Sequence, residues 1–234
     1  MNKTELDAII ADAVNDSELS GAEIPAIDLY VDQIINLVTE KQKQGSLRFS
    51  EKQLTKTMIN NYSKDGVITP VKGKKYTREQ ILQILLVYSM KSTLSIGEIK
   101  RLIAGAYSID GFDEKDLCAL YDRYTDVKTK NQDYTKQIID KMISDSSFDT
   151  ENDMDYLATL GGIVALSAYL RSVARAMIDA KYPEQNEADQ QKSEEVADEK
   201  SEKKKEKKEK KKEEKKEKKE NKKKEKKDKK ADEE

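Results

Sequence analysis

Between Ser201 and Lys230 the chain has no apolar residue: 19 Lys, 9 Asp or Glu, Ser201 and Asn221 are all it holds. A stretch with nothing to bury cannot offset the entropy of being ordered. Residues 184–234 are therefore expected to form a disordered Lys/Glu-rich tail, and folding is confined to the first 183 residues, enough chain for a sizeable core. The tail carries a net +10 over 201–230 behind an acidic stretch at 183–200. Two readings of it stay open, a solvated spacer and a nonspecific DNA arm whose phosphate contacts release counterions.

The remaining chain reads as mainly α. The whole sequence has 9 glycines and 3 prolines, and no extended stretch alternates with period two. Residues 27–38 read as a first helix, with Ile27, Val31, Ile34, Ile35 and Val38 as its apolar stripe and Pro25 just ahead. Three helix starts carry capping-box spacing: Ser50 with Gln53, Thr77 with Gln80, and Ser95 with Glu98. Gly66 suits a left-handed helix end, and Pro70 stops any continuation. Residues 71–76, centred on Gly73, read as a short β-hairpin with a basic tip. The apolar run 81–90 reads as a buried helix behind its Thr77 cap. Residues 113–124, 128–146 and 153–181 read as three further helices. The last mixes Ala158, Gly161, Gly162, Ala165 and Ala168 with larger apolar residues, which suits either a core helix or a dimer seam.

Composition removes much chemistry. There is no histidine, so Ser-His-Asp and Cys-His catalysis and His-ligated metals are excluded. The single cysteine, Cys118, rules out an intrachain disulfide, and its apolar neighbours suggest a small buried residue. The acids Asp149, Glu151, Asp153 and Asp155 suit the positive end of a helix dipole. No phosphate-cradling glycine loop is present. Enzymatic activity, a cofactor and a metal are not expected. Residues 1–7 show no signal-peptide pattern, and the longest apolar stretch, 157–170, is shorter than a bilayer span. The expectation is a cytoplasmic protein with no membrane association.

Charge then points to a partner. Residues 48–101 hold 11 Lys and Arg against 4 Asp and Glu, a net +7, while 1–47 carries −6 and 102–183 carries −5. A basic island between acidic flanks is an electrostatic footprint for nucleic acid. Residues 54–64 on a helical wheel put Leu54, Met58, Ile59 and Tyr62 on one arc. Lys56, Thr57, Asn60, Ser63 and Lys64 fall on the other, with Asn61 at its border. Lysine neutralises phosphate, and asparagine can pair with adenine or donate to backbone oxygens.

Here a family resemblance emerges. Residues 54–68, Leu-Thr-Lys-Thr-Met-Ile-Asn-Asn-Tyr-Ser-Lys-Asp-Gly-Val-Ile, resemble the recognition helix of MerR-type winged-helix regulators, V-S-x-x-T-I-R-Y-Y-E-x-x-G-L-L. Residues 75–81 are similar to the wing exit of those proteins, and 94–102 to their F-S-L-E-E-I-K-x-L. More specifically, residues 24–33, 54–62 and 94–96 resemble a YkrK-like family of Firmicutes, domain of unknown function 1836, over roughly residues 24–177. The resemblance implies a MerR-like winged helix-turn-helix domain at 24–104 with a β-hairpin wing, behind an N-terminal segment at 1–23. A helical dimerisation or effector domain at 105–183 and the tail at 184–234 would follow. It implies double-stranded DNA as partner, a homodimer, and room for a small-molecule effector in the acidic helical half. DNA contacts would come from Lys56, Thr57, Asn60, Asn61 and Lys64 in the groove, and from Lys72, Lys74, Lys75, Tyr76 and Arg78 at the wing. The chain departs from the pattern where Asn60 replaces the expected arginine. Residues 50–53 leave little room for a preceding helix, so 27–38 would serve. The dimer helix of that family should begin near Tyr107, where Gly111 and residues 113–116 interrupt. The expected function is a DNA-binding transcriptional regulator. The alternative is a protein-interaction adaptor that reuses the winged-helix scaffold without specific DNA binding.

Overall fold

The computed structural model describes residues 1–46 and 53–184. Among them are seven α-helices: α1 Lys3–Val14, α2 Val31–Gln42, α3 Lys56–Lys64, α4 Arg78–Met90, α5 Ile96–Tyr107, α6 Glu114–Ser146 and α7 Asp153–Lys181. Two short strands, β1 Leu29–Tyr30 and β2 Lys75–Tyr76, form one antiparallel pair with Leu29 opposite Tyr76. The protein is mainly α, as its composition predicts. The tail from 185 onward and the Ser50 half of one capping box lie outside the described residues.

The centre of the molecule is α4. Ile81, Leu82, Gln83, Ile84 and Val87 on it are all fully buried. A helix apolar around its whole circumference must be covered on every side. The cover comes from Ile34 and Val38 of α2, Ile59 and Tyr62 of α3, Ile99 of α5, and Leu117 and Tyr121 of α6. Met1–Pro183 is one compact unit.

Two capping boxes form as the spacing predicts. Gln80 N donates to Thr77 Oγ1 at 3.3 Å while Thr77 N donates to Gln80 Oε1 at 2.9 Å. Glu98 N donates to Ser95 Oγ at 3.2 Å and Ser95 N to Glu98 Oε2 at 2.7 Å. Thr77→Ala removes the cap of the core helix and should cost about 1 kcal/mol, read as a lowered urea midpoint with an unchanged slope.

Several expectations are corrected. The helix expected at 27–38 begins only at Val31, because Leu29 and Tyr30 are extended by pairing with β2. Ile27, placed on its stripe, is 69% exposed. The hairpin expected within 71–76 does not form: Lys75–Tyr76 pairs with Leu29–Tyr30, far upstream. The two helices expected at 113–124 and 128–146 are one continuous α6. Neither glycine nor proline lies between Gly111 and Gly161, and the Thr125 hydroxyl donates to Asp122 O at 2.9 Å instead of breaking the helix. The N-terminal segment holds a helix that the hydrophobic pattern did not announce. Asn2 caps it in a box with Glu5, and it packs on α6. Cys118 is only half-buried: Sγ lies 3.4 Å from Arg78 Nη2, and a Cβ on Gly21 would come within 2.7 Å of it.

Candidate nucleic-acid interface

α3 is built by strong local signals. Thr55 caps it, its hydroxyl accepting from Met58 N at 3.2 Å. It ends in a Schellman motif: Val67 N donates to Tyr62 O at 3.0 Å, Gly66 N to Ser63 O at 3.2 Å, and Gly66 takes φ +63°. That conformation is cheap for glycine and strained for other residues. The two faces separate as the wheel predicts. Leu54, Ile59 and Tyr62 are buried, and Met58 is half-buried. Lys56, Thr57, Asn60, Asn61 and Lys64 are all exposed, and Ser63 is half-buried. The inner face packs on α2 and α4.

The segment after α3 is tied down from below by α4. Gln83, itself fully buried, accepts from Thr69 N at 2.7 Å through Oε1 and donates from Nε2 to Tyr107 Oη at 2.6 Å. Tyr107 Oη donates in turn to Glu79 Oε1 at 2.5 Å. Gln80 Nε2 donates to Thr69 O at 3.2 Å and Pro70 O at 3.0 Å. The backbone at 69–70 is thus held at both its donor and its acceptors. Past it the chain turns through Gly73, at φ +92°, with Lys72, Lys74 and Lys75 exposed. Lys75 Nζ sits 5.0 Å from the ring centroid of Tyr30 on the neighbouring strand.

Two of the ten sequence-selected residues are turned inward. Tyr76 is 8% exposed and belongs to the core, where burial pushes its phenol pKa up. Arg78 donates from Nη2 to Gly21 O at 2.8 Å and lies 3.9 Å from Glu114. Its guanidinium ties the 3-10 turn Gly21–Glu23 to α4, and Gly21 N donates to Asp122 Oδ1 at 2.7 Å on the other side. No ion pair among the described residues involves Lys56, Lys64, Lys72, Lys74 or Lys75. Their charge is free to meet a polyanion.

The structure adds two cations that residue-by-residue reading missed. Lys91, at the end of α4, places Nζ 5.2 Å from the ring centroid of Tyr62 on α3. Burial raises the Tyr62 phenol to about 12, and its hydroxyl has no partner among the described residues. Lys100, on α5, brings Nζ to 3.5 Å from where a Cβ on Gly66 would stand. Both therefore lie against α3 or its end, contributed by other helices. Only their place in the basic island could have flagged them. Arg101, next to Lys100, is structural, donating to Asp179 Oδ1 at 2.8 Å and Tyr182 O at 2.9 Å.

Behind α3 lies a cavity of about 430 Å³ lined by Leu19, Val38, Gln42, Met58, Leu85 and Tyr88 among others. At its rim Lys128 pairs with Asp16 and Glu18, linking α6 to the segment after α1. No group of His, Cys, Asp and Glu among the described residues could hold a metal.

Residues 19–124 match the family model described as Domain of unknown function (DUF1836). The match covers a little under half of the chain. It spans the 3-10 turn, both strands, α2 to α5 and the first part of α6, and so includes every residue of the candidate interface. No curated protein and no solved structure matches the chain. The DUF1836 match carries no activity with it, so the function must be argued from the surface.

Proposed function

We propose that this protein is a DNA-binding transcriptional regulator that presents α3 to the major groove. The observation that carries the reading is the outer face of α3: Lys56, Thr57, Asn60, Asn61 and Lys64 are all exposed opposite a buried Leu54, Ile59 and Tyr62. Asn60 and Asn61 would contact base edges, with the lysines on phosphates. Lys72, Lys74 and Lys75 would grip the backbone from an anchored loop, and Lys91 and Lys100 would extend the positive surface past the end of α3. The MerR-type winged arrangement and the YkrK-like grouping belong to this proposal. So does a cytoplasmic location, where the DNA is.

The test is DNA co-purification with the full chain, followed by fluorescence anisotropy on the recovered fragment at several salt concentrations. Lys56→Ala and Lys64→Ala should each flatten the plot of log affinity against log salt by about 0.9. Asn60→Ala should reduce preference for the recovered sequence over unrelated DNA by roughly 1–3 kcal/mol. Binding indifferent to Asn60→Ala together with Lys64→Ala would sink the assignment. The adaptor reading draws on the inward turn of Tyr76 and Arg78, which removes two of the expected contacts from the surface. It predicts stoichiometric recovery of one protein with no DNA retained at moderate salt.

A further inference from the structure

The cavity behind α3 has a chemistry that the DNA surface does not use. Its wall is apolar where it meets the core. Leu19, Val38 and Leu85 are buried, and Met58 reaches it from the inner face of α3. Tyr88 of α4 and Tyr121 of α6 add two phenol rings, and the exposed Lys91 and Ser92 mark its mouth. Its volume of about 430 Å³ falls in the range of small-molecule sites.

The charges in that wall do not balance. Five charged residues line it: Asp16, Glu18, Lys41, Lys91 and Lys128. Lys41 pairs at 2.7 Å with Glu23, which is not among the lining residues. Lys91 rests against the ring of Tyr62, also outside the lining. Asp16 and Glu18 are left to share the single ammonium of Lys128. Lys128 and Ser89 both donate to Glu18 Oε1, at 2.5 and 2.6 Å. Oε2 of the same carboxylate is buried and has no partner among the described residues. Gln42, 7% exposed and in the same wall, has its Oε1 in the same condition. Both orphaned atoms are acceptors, so the wall calls for a donor. The neighbouring phenols register the excess negative charge. Burial pushes Tyr88 up, and Asp16 and Glu18 each add more than Lys128 takes back. Burial and then Glu18 push Tyr121 up as well. Apolar walls, aromatic rings and an unbalanced carboxylate together suit an organic cation, because ring faces attract an ammonium and a carboxylate accepts its hydrogen bonds.

We propose that this cavity is a binding site for a small amphipathic amine, its ammonium at Glu18 and its apolar body against Val38, Met58 and Leu85. The inference does not depend on DNA binding. It also differs from the effector region that the winged-helix resemblance nominates: of the lining residues only Tyr121 and Lys128 fall within 105–183.

Of the six methionines only Met58 lines the cavity, so isotope labelling of the methionine methyls reports on it by NMR in the full chain. The exposed Met154 and Met177 serve as controls. Three indoles that differ only in the head group are the probes: tryptamine, tryptophol and indole-3-propionate at neutral pH. Tryptamine should move the Met58 signal saturably, with a Kd of about 1 mM or tighter. Tryptophol should bind about tenfold more weakly, and indole-3-propionate should leave the signal in place. Glu18→Gln should weaken tryptamine about tenfold and leave tryptophol within about twofold of wild type. The comparison of head groups needs only the wild type and stands even where the variant fails to fold. An unmoved Met58, or shifts at Met154 and Met177 alone, overturns the proposal. Tryptophol or indole-3-propionate binding as tightly as tryptamine overturns it too, the propionate handing the cavity to Lys91. A folded Glu18→Gln with unchanged tryptamine affinity overturns it equally.

Discussion

Lys128→Met is expected to destabilise the protein by roughly 3 kcal/mol, the lower end of what removing one partner of a buried ion pair costs. The lysine side chain keeps 29% of its exposure, and Asp16 and Glu18 keep 14% and 19%, so desolvation is substantial but incomplete. Its loss leaves two carboxylates facing each other in a half-buried pocket, with Glu18 Oε2 already lacking a partner among the described residues. Ser89 Oγ donates to Glu18 at 2.6 Å and cannot neutralise two charges. Urea unfolding would show a lowered midpoint, and adding Asp16→Asn and Glu18→Gln should recover most of the loss. A single variant within 0.5 kcal/mol of wild type, the usual range of surface changes, would show the pair to be solvated.

The same ion pair sets a direction for alkaline stability. Burial by itself pulls the Lys128 pKa down, but the charges of Glu18 and Asp16 outweigh it, and the folded-state value lies above 10.5. The stabilisation is therefore complete below pH 10.5 and fades as pH rises through the higher folded value. Wild type and Lys128→Met should converge in stability in that alkaline window and differ by a constant amount near neutrality.

Gln83→Leu is expected to cost about 2–3 kcal/mol despite replacing a polar side chain by an apolar one in the core. The Thr69 amide then loses its acceptor in a part-buried setting, and Tyr107 keeps only its bond to Glu79. Tyr107→Phe, which spares the Thr69 bond, should cost about 1 kcal/mol. The two variants separate stability from function. Under the proposed reading, Gln83→Leu also frees the backbone at the base of the lysine loop and weakens DNA binding, whereas Tyr107→Phe leaves binding nearly unchanged. Faster amide exchange at Thr69 in Gln83→Leu alone would locate the effect.

Much of the candidate interface was legible in the sequence because its signals are local. The 3.6-residue period sorts Ile59 and Tyr62 from Lys56 and Asn60 without reference to any other element. Gly66 announces its left-handed turn, and Thr77 and Ser95 announce their caps. What escaped was non-local. Arg78 belongs to the basic island by composition, and only the proximity of Gly21 and Glu114 turns it inward. Lys91 and Lys100 reach α3 from other helices.

By itself the sequence determined a helical protein with α4 at its core, the capped starts of α4 and α5, the inner and outer faces of α3, and the absence of histidine chemistry. Each follows from side-chain periodicity or from a hydrogen bond closed within four residues. Tertiary structure alone decided that Leu29–Tyr30 pairs with Lys75–Tyr76, that Gln80 and Gln83 anchor the lysine loop, and that only Thr159 and Ile178 of α7 are buried. A two-residue strand has no period to read, and a buried glutamine has a partner only when the fold brings one. An apolar helix is core or surface according to what packs against it, and on α7 little of this chain does.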